Sequence, residues 1–127
     1  MERRAINAPD APTASGGYSQ AVEIAGAKRL LFISGQIPVD AAGALPPTFR
    51  EQCLLAWANV EAQLRAAGLD LSHLVKVTTF LADRSHAMEN REVRNEVLGD
   101  LKPALTVIIA GIFDRSWLIE IEAIAAE

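Results

Sequence analysis

Thr48-Phe49-Arg50-Glu51-Gln52-Cys53-Leu54-Leu55-Ala56-Trp57-Ala58-Asn59-Val60-Glu61-Ala62-Gln63-Leu64-Arg65-Ala66-Ala67-Gly68 is the stretch on which the fold turns. Its opening, Thr48 to Glu51, has the form of a capping box: the Thr48 hydroxyl can accept from the Glu51 amide, and the Glu51 carboxylate can reach back. Cys53, Trp57, Val60, Leu64 and Ala67 then recur at spacings of four and three, which stacks them on one helical face. Gly68 stands where a left-handed cap ends a helix. A helix with one apolar stripe needs a second layer to bury it against, and both flanks supply strands.

Upstream, Asn7 to Gly17 carries Pro9, Pro12, Gly16 and Gly17 and reads as an irregular opening loop. Tyr18 to Ile24 alternates loosely, Leu30 to Ser34 is a short apolar run, and Ala25-Gly26-Ala27-Lys28 between them suggests a hairpin. The chain leaves the sheet at Ser34-Gly35-Gln36-Ile37-Pro38 and loops through Gly43, Pro46 and Pro47 to the helix. Downstream, Leu74 to Leu81 is β-branched and aromatic, as a strand requires. Ser85 is a candidate N-cap for a second helix reaching Leu98 and ending at Gly99, with Asn90, Val93 and Val97 as its weaker stripe. Ala104 to Ala110 is nearly all apolar, as in a strand covered on both faces. Trp117 to Ala125 is the last strand. The order strand, strand, helix, strand, helix, strand, strand predicts an α+β fold with both helices on one face of a mixed sheet. With no third helix to cover the other face, self-association is the economical solution.

The chain has 127 residues, half of them apolar, which predicts one domain over residues 1–127 with a packed core. A net charge of -4 with no dense Lys/Arg stripe disfavours nucleic acid as a partner, since neutralising phosphates supplies most of that affinity. The one cysteine, Cys53, has no disulfide partner, lies on the apolar helix face, and reads as a small core hydrophobe. No His or Cys spacing suits a metal, and neither His73 nor His86 has an evident ligand partner. The N-terminus lacks the apolar run of a signal peptide, and no segment approaches the roughly 20 apolar residues that span a bilayer, so a cytoplasmic location without membrane contact is expected.

Period-two geometry in Trp117-Leu118-Ile119-Glu120-Ile121-Glu122-Ala123 puts Leu118, Glu120 and Glu122 on one face of the last strand. Those carboxylates are either a solvated face or the source of one group aimed into a cleft, where apolar walls suit a carboxylate to proton transfer. No phosphate loop, dinucleotide fingerprint or hydrolase elbow is present.

Taken together, the segments resemble the RidA/YjgF family of reactive-intermediate imine deaminase-like proteins. Gly17-Tyr18-Ser19-Gln20-Ala21-Val22 is similar to that family's opening motif and Ser34-Gly35-Gln36-Ile37-Pro38 to its second. Glu51-Gln52, Asn59, Val75 to Asp83, Pro103-Ala104 and Ile119 to Ala125 continue the match in order along nearly the whole chain. The resemblance implies a chorismate-mutase-like fold, a homotrimer, and small-molecule sites in clefts between subunits, with no metal or organic cofactor. Members with the deaminase pattern hydrolyse enamines and imines such as 2-iminopropanoate to a 2-oxoacid and ammonia. Carried over to this sequence, the cleft is lined by Tyr18, Ser34 and Gly35, Glu120 positions or activates water, and the family's helix asparagine falls on Asn90, with Asn95 as the other choice.

The arginine that follows Pro-Ala in the deaminase pattern, and grips the substrate carboxylate, does not map: Leu105 stands there, followed inward by Val107. A buried bidentate charge contact contributes on the order of 2–5 kcal/mol, or tens to thousands of fold in affinity. The resemblance therefore implies a cleft of Leu105, Val107 and Ile109 opposite Glu120, suited to a neutral ligand. Arg91, Arg94 and Arg115 are candidate compensating cations, each read first as a solvated surface charge. Two functional readings stay open: a deaminase or hydrolase of altered specificity, and a non-enzymatic ligand-binding or regulatory trimer. The endoribonuclease role reported for some relatives is disfavoured by the charge and by the want of a His/Lys constellation.

Overall fold

A computed structural model describes residues 1–127. The elements are β1 (Glu2–Ile6), β2 (Ala21–Ala25), β3 (Leu30–Gln36), α1 (Phe49–Ala66), β4 (Leu74–Leu81), α2 (Ala87–Leu98), β5 (Ala104–Ile109) and β6 (Ile119–Ala126). Four strands form a mixed sheet in the order β3-β6-β4-β5, with β4 and β5 parallel and the other neighbours antiparallel. The fold is α+β, with α1 and α2 on one face.

The core lies between that face and the helices. Cys53, Trp57, Val60 and Leu64 of α1 meet Val93 of α2 over Val77 and Leu81 of β4 and Ile119 and Ile121 of β6, all buried. The Thr48 side chain caps α1 by accepting from the Glu51 amide at 3.2 Å, and Gly68 takes the left-handed conformation just past its end, φ +76°. The second helix starts later than Ser85: Asp83 caps a short 3-10 turn at Arg84–His86 by accepting from the Ser85 amide, and α2 begins at Ala87. The sheet also keeps β3 as far as Gln36, beyond the expected exit at Ser34.

The N-terminal half of the sheet departs from expectation. No hairpin joins β2 to β3. Instead β2 pairs antiparallel with β1, a strand the polar sequence Glu-Arg-Arg-Ala-Ile did not announce, and β3 pairs only with β6. The reason lies at the ribbon's root. Ser19 donates its amide to Pro103 O and its hydroxyl to Lys102 O, and bridges Ala104 at the start of β5, the edge opposite β3. The β1–β2 ribbon is thereby held away from β3. The strand expected to be covered on both faces is bare in the single chain, where Thr106 to Ile109 of β5 are exposed.

Candidate functional site

The site is built where β3 breaks step with β6. Ile33 pairs with Ala123 and Gln36 with Ile121, so Ser34 and Gly35 together oppose the single residue Glu122. This is a β-bulge, a device that re-aims side chains beside functional sites. Gly35 lies directly under the Glu120 carboxyl group: a Cβ built on it would stand 2.8 Å from Glu120 Cδ and closer still to Oε2. Glycine is needed there for space, since its φ is ordinary.

Two side-chain amides fix this corner. Gln52 of α1 donates to Pro46 O and Ser116 O and accepts from the Leu118 amide at 2.8 Å, which pins the approach to β6 two residues before Glu120. Asn59 donates to Ile37 O and Val39 O, both at 2.9 Å, and fixes the chain leaving the bulge. Glu120 pairs across the sheet with Phe80, and Phe80 with Ile108. Paired residues share a face, so Phe80 and Ile108 flank Glu120 on the side away from the helices, with Thr78 and Glu122 one step along. A cavity of about 310 Å³ on that face runs from Ser34 and Phe32 to Lys76, Thr78 and Glu122. Phe80, Thr78 and Ile108 are not among the residues expected at the site; strand alternation holds their signal, but only the order β6-β4-β5 reveals whose neighbours they are.

The remaining expected residues lie elsewhere in the single chain. Leu105 pairs with Val77, and Val77 with Ala123, so Leu105, Val107 and Ile109 share the helix-covered face and turn away from Glu120. Leu105 packs against the core, and Val107 is 40% exposed. Tyr18 lines a separate cavity of about 740 Å³ with Asn7, Ser72, Leu101 and Lys102. Asn90 is buried between the helices, accepting from Cys53 Sγ at 3.9 Å. Burial pushes the Cys53 thiol up to about 12, which makes it a poor nucleophile.

Of the candidate cations, Arg94 is the one that departs from a solvated reading. It is 4% exposed, donates to the Gly16 carbonyl, and leaves its buried Nε unpaired. Burial lowers its pKa from the usual guanidinium range. Arg91 and Arg115 are exposed, and the Lys76 ammonium donates to Thr106 Oγ1 at 2.5 Å. His86 stacks on Phe49, and His73 accepts from the Asp70 amide. No group of three or more His, Cys, Asp or Glu side chains is placed to hold a metal ion, and no helix is long and apolar enough to cross a membrane.

Comparison with known proteins accords with this architecture. The family profile described as Endoribonuclease L-PSP matches residues 8–127. Protein DfrA of Myxococcus xanthus is 37% identical over 98% of this chain and 96% of its own length. The 2-iminobutanoate/2-iminopropanoate deaminase of Capra hircus is 34% identical over 100% of this chain and 92% of its own. The crystal structure of YyfB from Yersinia pestis, a Rid-family protein of unknown function, superposes with a TM-score of 0.86 at 28% identity, covering 100% of both chains. With a profile spanning almost every residue and relatives aligned end to end, the chain belongs to the RidA/YjgF family, the family of Endoribonuclease L-PSP.

Proposed function

We propose that this chain assembles as a cytosolic homotrimer and hydrolyses a small imine or enamine lacking a carboxylate, with Glu120 as the proton-transfer group. The observation that carries the reading is the Glu120 carboxyl group held over Gly35 at the bulge, in space that any side chain at position 35 would take. Its chemistry would be general base and then general acid. Glu120 takes a proton from water as the oxygen attacks the C=N carbon and passes it to nitrogen, giving a carbinolamine; it then takes the hydroxyl proton and delivers it to nitrogen as the C–N bond breaks, leaving a carbonyl and ammonia. Because Leu105 and Glu120 occupy opposite faces of one chain, they can share a cleft only where β5 of one copy lies against the open face of another. The 34% identity to a 2-iminobutanoate/2-iminopropanoate deaminase supports the reaction class. Leu105 supports the change of substrate, since a leucine gives a carboxylate nothing to bind.

Ammonia release from freshly generated imines, with and without a carboxylate, tests the reading on the native chain, Glu120→Gln and Leu105→Arg. Turnover of the uncharged imines alone is expected, with a loss on the order of a hundredfold or more in Glu120→Gln. Leu105→Arg should raise turnover of 2-iminopropanoate by tens of fold. Efficient hydrolysis of 2-iminopropanoate by the native chain would sink the specificity claim. Saturable binding of a neutral ligand with no turnover of any imine would make the protein a binding module instead.

A further inference from the structure

We propose that the β1–β2 ribbon is donated to a second copy of this chain, where β2 adds to the free edge of β3. Only Gly26-Ala27-Lys28-Arg29 separates the two strands, and Gly26 sits at φ +70°, yet they do not pair. Each is left with an open row of backbone donors and acceptors. On the β3 side that edge is apolar, with Leu30 59% and Phe32 69% exposed. On the ribbon every residue of β1 is exposed, and β2 alternates exposed with half-buried. A two-stranded ribbon alone in water is marginal at best, and a flat apolar edge invites another strand.

Reach decides which copy supplies the partner. Ser19 is tied to Pro103, Lys102 and Ala104 on the β5 side of the sheet. With the order β3-β6-β4-β5, a strand beyond its own β3 would lie five strand spacings from Ser19, about 24 Å. Only two steps separate Ser19 from Ala21, and they span about 7 Å. While the root stays tied, β2 cannot reach the edge of its own β3, but the same edge on a second copy carries no such constraint. Strand exchange of this kind is a low-cost route to assembly when a short hinge opens.

Side-chain parity fixes the register to alternate residues. Val22 and Ile24 belong with Leu31 and Ile33, which pack on the helix side, and in an antiparallel pairing this sets either Ala21 or Glu23 across from Phe32. Continued toward the bulge, the donated segment brings residues 18–20 to the level of the acceptor's Gly35. Since the donor's Ser19 stays bonded beside its own β5, Tyr18 and Leu105 of one copy would approach Gly35 and Glu120 of the next. The exchange stands on strand geometry alone, so it can fail or hold independently of the imine chemistry.

Cysteine crosslinking tests it. Ala21→Cys or Glu23→Cys is co-expressed with a separately tagged Phe32→Cys chain and oxidised mildly; buried Cys53 stays inert. We expect a disulfide-linked pair carrying both tags, and linked multimers from the double variant Glu23→Cys/Phe32→Cys. A double variant that closes its bond within one chain would overturn the proposal, as would no linkage with either cysteine on β2. Light scattering on the native chain gives a check that needs no variant: the mass of a single chain at micromolar concentration would overturn it equally.

Discussion

At the scale of single residues, the cleft rests on a missing side chain. Gly35 has an unremarkable φ, so alanine fits its backbone, and the substitution stabilises by about 0.4–1 kcal/mol through the unfolded state. Against that, the new methyl group would occupy the space of the Glu120 carboxyl group, which must swing to another rotamer at a cost of about 0.5–1.5 kcal/mol. The two nearly cancel. Gly35→Ala should therefore melt within a few degrees of the native protein and still lose on the order of a hundredfold in turnover, because the carboxylate is displaced by more than an ångström. Thermal unfolding and ammonia release, measured on one preparation, check both halves; native turnover in the alanine variant would show that Glu120 does not act from above Gly35. Alternation along β6 told which residues accompany Glu120 on its strand. It could not tell that Leu105 looks the other way, because that depends on two registers, Val77 with Leu105 and Val77 with Ala123, contributed by a third strand. Arg94 was equally illegible: a charged residue on a weakly striped helix reads as solvated, and only its packing against Gly16 makes it a buried anchor of the loop.

At the scale of elements, one local device recurs. Asp70-Leu71-Ser72, Asp83-Arg84-Ser85 and Asp114-Arg115-Ser116 each fold so that the aspartate accepts from the serine amide two residues on, at 2.9, 2.8 and 2.9 Å. Serine side-chain bonds foremost at Asp70 and Asp114, and the Ser85 amide at Asp83, hold these carboxyls below the usual range. A carboxyl whose folded pKa lies under its unfolded value of about 3.9 stabilises the fold above that pH, and the contribution disappears as pH falls through the folded value. The midpoint of thermal unfolding should thus drop between about pH 5 and pH 3. Asp70→Asn/Asp83→Asn/Asp114→Asn keeps an accepting oxygen at each turn but removes the titration, so its acid limb should be visibly flatter; an unchanged limb would assign acid sensitivity to other groups, Glu127 beside Arg29 first among them. Such turns explain why α1 was legible and the start of α2 was not. In α1 the cap and the apolar period agree, whereas before α2 both Asp83 and Ser85 are good capping residues, and the sequence does not say that one caps the other. The ribbon departs from expectation for a related reason: Gly26 between two apolar runs is a sound local hairpin signal, but pairing is settled at Ser19, by contacts more than eighty residues away in the chain.

At the scale of the molecule, the sheet has two faces and the helices cover one. The other presents Phe80 and Ile108 beside Glu120 and Phe32 farther along, opposite Ile124, with Ile108 43% exposed, and Val107 and Ile109 remain open on the far edge. A strand this apolar belongs in an interior, and both helices pack on the opposite face of the sheet. Burying one isoleucine side chain contributes about 1.5–3 kcal/mol, so the residue is a sensitive probe of whether copies meet on this face. Ile108→Glu would set an unpaired carboxylate into that contact, whereas Ile108→Val trims a single methylene. The concentration at which the assembly dissociates, followed by light scattering on dilution, should rise at least tenfold for the glutamate variant and only slightly for valine. Equal dissociation of all three proteins would place Ile108 outside the interface. The cleft would then have to form without β5 against the open face, and Leu105 would lose its claim to set the substrate.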